Sequence, residues 1–523
     1  MVTTRVMRRE RRTGGAQVAR YRIQVVLATL LLGMFGVAAA QTTPHEGLQR
    51  TTIGTGLGQA ELPPGGVFEP RVEAAVQYVA NIELVGAGLP QINTAGLELA
   101  PGFYASYASG SAMGAIDYSL IGRIWDESDY DDVSHRLAAN GQWIVLPEWF
   151  SLTGQAAYQD AVIDPRNGLN YGGLGIFGPG NLTEVATASA GPVLQHRFSD
   201  LELAANYTYG RVWYLDEGKG QPVVGFVTDQ DSEDQSARVS FGTFDQQSRL
   251  SGQVFYDWER SDFEVALPYK YERVGLDAGI RFARTLALVG DVGRESDLDV
   301  STSEGGLDSE FWSAGLRWDP SDRTSAEARY GERFFGDTYS FRATHRARFV
   351  EFDASYSEAP TIETRLLSLG GFEPGQLPGG LPGAGIGGVS SSPFVGKDAR
   401  VGMTAIGSRT TLSVTGFSYE RDYVRGLLGD ETRTGIELGA TRQLASNLSA
   451  DLGVGYTDFE AEASSLGDPV SGTERYYDTT VAFRLNRTSG VHLTVGGEAG
   501  YLIRNGDGDY EGWWVALRAR WVP

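Results

Sequence analysis

The chain has 523 residues, with 69 Gly, 20 Pro and no Cys, and 44 basic against 66 acidic side chains give a formal net charge of −22. The lack of Cys excludes a disulfide framework, a thiolate metal site, an iron–sulfur cluster and a cysteine nucleophile, and the acid excess argues against binding to duplex nucleic acid. High Gly and an aromatic content of 11% favour many strands and turns over a helical chain.

Residues 1–40 read as an address. Arg5, Arg8, Arg9, Arg11, Arg12, Arg20 and Arg22 stand against the single Glu10, an uncharged and mostly apolar run covers residues 23–37, and Ala38, Ala39 and Ala40 follow. A basic start, a short apolar core and small residues before a cleavage point make a secretory signal peptide, with cleavage expected after Ala40. A membrane anchor would need roughly 20 apolar residues. Without the seven Arg and one Glu of this segment, 37 basic and 65 acidic side chains remain, a charge of −28. Residues 41–66 lack alternation and carry Gly and Pro, which predicts a flexible periplasmic tail before the folded body at 67–523.

From Val67 onward, apolar residues recur at every second position. An opening strand is expected over Glu69 to Val79. Later, Leu448, Ala450, Leu452, Val454 and Tyr456 alternate with Ser449, Asp451, Gly453, Gly455 and Thr457, and Val481, Phe483 and Leu485 alternate with Thr480, Arg484 and Asn486. A helix would show a 3.6-residue period, so these segments are strands. Strands of about 11 to 14 residues exceed the soluble mode of about 5 or 6. Aromatics such as Tyr207, Tyr209, Trp213, Tyr256, Trp258, Trp312 and Trp318 collect toward the ends of the apolar faces. Tight polar turns are expected near Ser109, Pro147, Ser199, Asp245, Arg284, Pro320, Arg346, Gly407, Ala445 and Arg487, with longer connections between. Ten turns imply ten hairpins. With the opening strand and a closing strand over Tyr510 to Trp521, the total is about 22, with 20 to 24 acceptable. The predicted fold is all-β, a transmembrane antiparallel up-and-down β-barrel with short periplasmic turns and long extracellular loops, which places it in the outer membrane.

The longer connections are acidic or Gly-rich. Asp126, Glu127, Asp129, Asp131 and Asp132 crowd together, as do Asp229, Asp231, Glu233 and Asp234, and residues 370–388 hold nine Gly and three Pro. That last stretch is expected to be an exposed surface loop, the alternative being a segment folded into the lumen. Asn505, Asp507 and Asp509 alternate as calcium ligands do, but Tyr510 stands where a calcium loop needs Gly, and the expectation is turn chemistry with no metal. His45, His135, His196, His345 and His492 lie on separate segments and no Gly-x-Ser-x-Gly elbow occurs, so no catalytic residue and no cofactor are assigned.

If apolar positions face lipid, the charged residues of opposite parity face inward: Arg273, Asp277, Arg281, Asp291, Arg317, Arg329, Asp451, Asp478, Arg484, Glu498, Arg518 and Arg520. An Arg facing lipid at the bilayer midplane costs about 2–4 kcal/mol, which fixes that choice. A barrel of this size must be water-filled or plugged. With only residues 41–66 ahead of the strands, an open or loop-constricted channel is expected over a plugged transporter.

The stretch Gly180-Asn181-Leu182-Thr183-Glu184-Val185, followed by Pro192, Gln195, His196, Arg197 and Phe198 and then Tyr207-Thr208-Tyr209, resembles the outer-membrane β-barrel proteins associated with PEP-CTERM/exosortase systems, which are similar to β-barrel porins. Leu99-Ala100-Pro101-Gly102 and Asp117-Tyr118 fit the same pattern, whereas Val522 and Pro523 follow Trp521 where such barrels usually finish on an aromatic residue. The resemblance implies a Gram-negative barrel among neighbours that make and export exopolysaccharide, with no established activity. The expected function is thus non-enzymatic, a porin-like channel for polar solutes or an exopolysaccharide-associated export component. The alternatives are a structural or adhesive barrel with matrix-binding loops, and an outer-membrane hydrolase built on His196 or His492. Expected partners are outer-membrane lipid and lipopolysaccharide, the barrel assembly machinery and exopolysaccharide, with no nucleic acid.

Overall fold

The computed structural model describes residues 65–86, 88–162, 182–215, 231–243, 248–264, 268–298, 306–362, 365, 392–424, 429–462 and 473–523. The predicted signal peptide, nearly all of the tail at 41–66, the Gly-rich stretch 370–388, the turn at Asp245 and the residues His45 and Asp229 lie outside them.

Twenty-two strands follow one another: β1 Gly65–Ala80, β2 Thr94–Ala108, β3 Ala112–Trp125, β4 Asp132–Leu146, β5 Phe150–Val162, β6 Leu182–Phe198, β7 Leu201–Tyr214, β8 Ser232–Thr243, β9 Leu250–Phe263, β10 Tyr269–Ala283 and β11 Leu286–Glu295. The second half continues as β12 Ser309–Ser321, β13 Thr324–Arg333, β14 Gly336–Arg346, β15 Val350–Thr361, β16 Phe394–Ile406, β17 Thr410–Tyr423, β18 Glu431–Ala445, β19 Leu448–Ala461, β20 Glu474–Ser489, β21 Leu493–Gly506 and β22 Tyr510–Trp521. Each strand pairs antiparallel with the next, and β22 returns to β1, Val72 opposite Trp521 through Ala80 opposite Trp513. The sheet is closed and has no free edge. The strand count and the bounds of the closing strand agree with the sequence expectation.

Alternation decides the two faces. On β10 and β11, Leu276, Ile280, Leu288 and Val292 are about half exposed, while Gly275, Gly279, Val289 and Asp291 occupy the other face. The same parity carries Leu316, Leu452, Phe483 and Leu517 to the exposed face all around the wall. Apolar side chains left exposed in a continuous belt of this kind match a lipid-facing surface.

The tight turns collect at one end. Glu148 and Ser199 adopt φ of 64° and 59° in two of them, and register shifts at Ile144/Leu146, Arg281/Ala283, Trp318/Ser321 and Gln443/Ala445 all fall in the strand ends leading into them. Bulges there tighten the local twist as the chain reverses. The opposite end carries the longer connections, with two departures: β13 and β14 are joined by Phe334 and Phe335 alone, and β21 and β22 by Asp507, Gly508 and Asp509. The acidic stretch expected as a loop at Asp231 to Asp234 is also corrected in part. Glu233 and Asp234 belong to β8, and Asp234 is fully buried between Ser232 and Ser261, which donate to its carboxylate.

At the long-loop end the inner face is packed. Val79, Ile82, Leu84, Trp125, Leu502, Tyr510, Trp514 and Ala516 form one buried cluster over the β1–β22 junction. Ile82 and Leu84 belong to the connection after β1, so this segment folds inward over the seam that closes the barrel.

Candidate functional site

All twelve charged positions expected to face inward have the parity opposite to the exposed apolar belt, and the structure gathers them into two groups. On β10–β13, Arg329 is the hub. Its Nη1 reaches Asp277 at 2.9 Å and Asp291 at 3.4 Å, and its Nε donates to Glu327 at 2.6 Å. Arg317 donates to the same Glu327 at 2.6 Å, and Arg273 donates to Asp291 at 2.6 Å while lying 4.0 Å over the Phe311 ring. Arg281 pairs with Asp319 at 3.2 Å near the short-turn end. Arg329 and Asp277 stand three strands apart, so their contact requires a sharply curved, concave wall.

The second group lies on β18–β22 and β1. Asp478 takes Arg504 with both carboxylate oxygens, Glu498 receives Arg484 at 3.0 Å with Arg518 at 3.7 Å and the Trp514 indole at 3.3 Å, and Arg520 stands 3.4 Å from Glu73. Asp451 accepts from Thr441 at 2.8 Å. The two groups occupy different arcs of the wall.

The β10–β13 group borders a hollow of about 300 Å³ whose charged lining is Arg238, Arg273, Arg329 and Arg333 with Asp257, Asp277, Asp291 and Glu358. Four guanidinium groups and four carboxylates make this lining electrically balanced, in a chain with a large acid excess. Around the wall on β5–β7, the mid-strand inner positions are Thr153, Gln155, Thr187, Ser189, Asn206 and Thr208, hydroxyls and amides without a charge among them. The inner surface thus combines an uncharged hydrogen-bonding stretch on β5–β7 with ion-paired arcs on β10–β13 and on β20–β22.

Sequence reasoning missed Arg333, Glu295 and Tyr271. Glu295 is fully buried, accepts from Arg333 at 2.6 Å and from the Tyr271 hydroxyl at 2.6 Å, and extends the lattice toward the long-loop end. Arg333 and Glu295 share the parity of Arg329 and Asp291, so carrying the alternation to the strand ends would have found them. Arg365, which meets Glu259 at 2.9 Å, lies in the connection between β15 and β16 and has no such signal.

The four described histidines have local partners. His135 meets the Tyr118 hydroxyl at 2.9 Å, His345 meets Thr324 at 2.8 Å, and His492 meets the Val522 carbonyl at 2.7 Å. His196 stacks on Trp149 at 3.4 Å. No Ser, His and acid converge among the described residues, which lends the hydrolase alternative no support. Among the described residues no three metal-ligating side chains cluster. Asp507 accepts from the Arg475 amide at 2.8 Å, and Gly506 and Gly508 take φ of 115° and 70°, as turn chemistry requires. The acidic connection after β3 is used the same way, Asp131 accepting from the Trp125 amide and Asp126 from the Ala95 amide. There too, burial and the neighbouring Glu83 carboxylate, which accepts from Tyr130 at 2.7 Å, push the ionisation of that phenol well above its usual range.

No family model matches the chain, and no curated protein matches it. Among solved structures, the ferric enterobactin receptor PfeA of Pseudomonas aeruginosa aligns with a TM-score of 0.46 at 10% identity, over 86% of this chain and 80% of that one. The siderophore receptor PirA of Acinetobacter baumannii aligns with a TM-score of 0.47 at 7% identity, over 86% and 80%. A loop-deleted OmpT, an outer membrane protein of Vibrio cholerae, aligns with a TM-score of 0.30 at 12% identity, over 88% of this chain and the whole of that one.

Proposed function

We propose that this chain is a non-enzymatic outer-membrane channel for small polar solutes, with β10–β13 as the wall that contacts them. The observation that carries this reading is the balanced lattice around Arg329, which borders a hollow instead of a packed interior. Paired charges with little net field let a polar solute exchange hydrogen bonds with the wall as it moves, without trapping ions of one sign. The closed sheet and the belt of exposed apolar side chains support residence in a bilayer, which a sheet can cross only when it is closed and leaves no backbone edge unpaired. In that orientation the tight turns face the periplasm and the long connections face outward. The resemblance to PEP-CTERM/exosortase-associated barrels adds exopolysaccharide to the solutes worth testing.

Planar-bilayer recording of the refolded mature chain decides the matter. Discrete conductance steps, with liposome swelling in small neutral sugars, are expected. A chain that is folded by its heat-modifiable gel mobility, yet inserts without passing current, would remove the channel reading.

A further inference from the structure

The short-turn end of the wall carries, over much of its circumference, a charge opposite to that of the chain. From β10 to β21, Arg284, Arg323, Arg348, Arg409, Arg442 and Arg487 stand in the turns or in the strand ends beside them, and all six are exposed. None of the six makes an ion pair among the described residues. The neighbouring acids are few. Asp319 is paired with Arg281 at 3.2 Å and Glu351 with Arg346 at 2.8 Å, while Asp322 shares a turn with Arg323. On β4–β7 the same end is acidic, with Glu148, Asp200 and Glu202 against Arg197. In a chain of net charge −22, unpaired cations thus collect on one side of one rim.

These cations border the apolar belt. Arg348 lies 4.8 Å from the centre of the exposed Phe349 ring, Arg284 follows exposed Phe282 by two residues, and Arg409 stands between exposed Ile406 and Leu412. Arg442 and Arg487 have the parity of the belt itself. They flank β19, Arg442 opposite Ala450 and Arg487 opposite Leu448, on the face where Leu452 is exposed. Their strands are about 10 Å apart, at roughly 4.8 Å per spacing. An outward Arg is costly at the bilayer midplane and nearly without cost at the interface, so these two mark headgroup height. The acids of the long-loop end lie across about 30 Å of hydrocarbon, well beyond the screening length of about 8 Å at physiological salt, and do not cancel this rim.

We propose that the β10–β21 side of the short-turn rim is a docking surface for anionic phospholipid, its arginines taking the headgroup phosphates of the leaflet they border. Every one of these cations is an arginine, and the described lysines, Lys270 and Lys397, lie near the other ends of their strands. The planar guanidinium fork matches a phosphate with two parallel hydrogen bonds, where an ammonium offers only a point charge. Contiguity with the exposed apolar side chains favours a lipid over a soluble acidic partner, which would meet the cations but not the belt. The inference rests on bilayer residence in the orientation given above, and not on conduction.

The test is lipid retention by the full mature chain, folded in mixed micelles holding equal amounts of phosphatidylglycerol and phosphatidylcholine and read by native mass spectrometry. Phosphatidylglycerol should be retained over phosphatidylcholine on the order of five-fold, the factor for one Arg at an anionic surface. The variant R409Q/R442Q/R487Q, whose changes are all at exposed positions, should lose about half of that preference or more while R409K/R442K/R487K keeps most of it. Folding of every form is checked by heat-modifiable mobility. No preference in the wild type overturns the docking surface, and so does a preference that survives R409Q/R442Q/R487Q at its wild-type value. A chain that passes current without lipid preference fails this inference alone, whereas lipid preference in a chain that passes no current fails the channel reading alone.

Discussion

Arg504 on β21 and Asp478 on β20 meet in a two-pronged ion pair, Nε to Oδ1 at 2.7 Å and Nη2 to Oδ2 at 2.8 Å, with the Arg504 side chain wholly buried. The guanidinium also lies 3.5 Å over the Tyr476 ring and 4.8 Å from Tyr510. Such a pair stabilises little relative to apolar residues of equal volume, but removing one partner leaves an uncompensated buried charge. Asp478→Ala should therefore cost about 3–5 kcal/mol in barrel stability, while replacing both residues by Leu should recover most of that loss. Urea unfolding in lipid vesicles measures both, and equal losses in the single and double variants would contradict the assignment.

The two faces can be separated at neighbouring residues. Leu452 is exposed on the outer belt, whereas a Cβ built on Gly453 meets nothing within 4 Å on the inner side. Leu452→Arg should destabilise the barrel by up to about 2–4 kcal/mol, the cost of a cation against lipid. Gly453→Arg should fold with a much smaller loss, because its side chain enters the interior. Unfolding midpoints of the two variants in the same vesicles give the comparison, and the reverse order would invert the faces.

Much of this fold is legible in the sequence because a barrel wall is a local pattern repeated. The period of two at Val481, Phe483 and Leu485 assigns the outer face, turn residues such as Ser199-Asp200 and Gly407-Ser408 separate the hairpins, and counting them yields the 22 strands observed. The inward parity of Arg329 and Asp277 follows from the same rule, but their pairing does not, since it depends on wall curvature over three strands. Trp513 and Trp514 show another limit. Adjacent in sequence, they face opposite sides, Trp513 exposed on the belt and Trp514 buried inside against Glu498, and a girdle read from aromatic content alone cannot divide them. The reach of Arg365 to Glu259 left no trace because a connection has no period.

Asn81 ties the connection after β1 to the closing strand. Its Nδ2 donates to the Val85 and Glu511 carbonyls at 2.9 and 2.8 Å, and its Oδ1 accepts from the Val85 amide at 2.9 Å. Its φ of 55° lies in the left-handed region that Asn tolerates. Asn81→Gly keeps that conformation and loses the hydrogen bonds, so it should cost about 1–3 kcal/mol. Asn81→Ala adds about 1–2 kcal/mol of backbone strain. Amide hydrogen exchange should quicken at residues 81–93 in both variants, more in Ala than in Gly, and equal exchange in all three proteins would leave the seam cap without a role.

Arg329 offers a test of sign as well as size. It pairs with Asp277, and it shares Asp291 with Arg273 and Glu327 with Arg317. Arg329→Gln removes one positive charge from a balanced wall, and its surplus of carboxylates should favour cations. Asp277→Asn removes one negative charge and should favour anions. At about 0.1 M salt the screening length is roughly 10 Å, comparable with the reach of this lattice, so the cation-to-anion permeability ratio should rise about two-fold in the first variant and fall by a similar factor in the second. At about 1 M salt, where screening acts within roughly 3 Å, both should approach wild type. Reversal potentials across a salt gradient read the ratio directly. Shifts of the same sign, or none in either variant at low salt, would mean that ions do not pass along β10–β13.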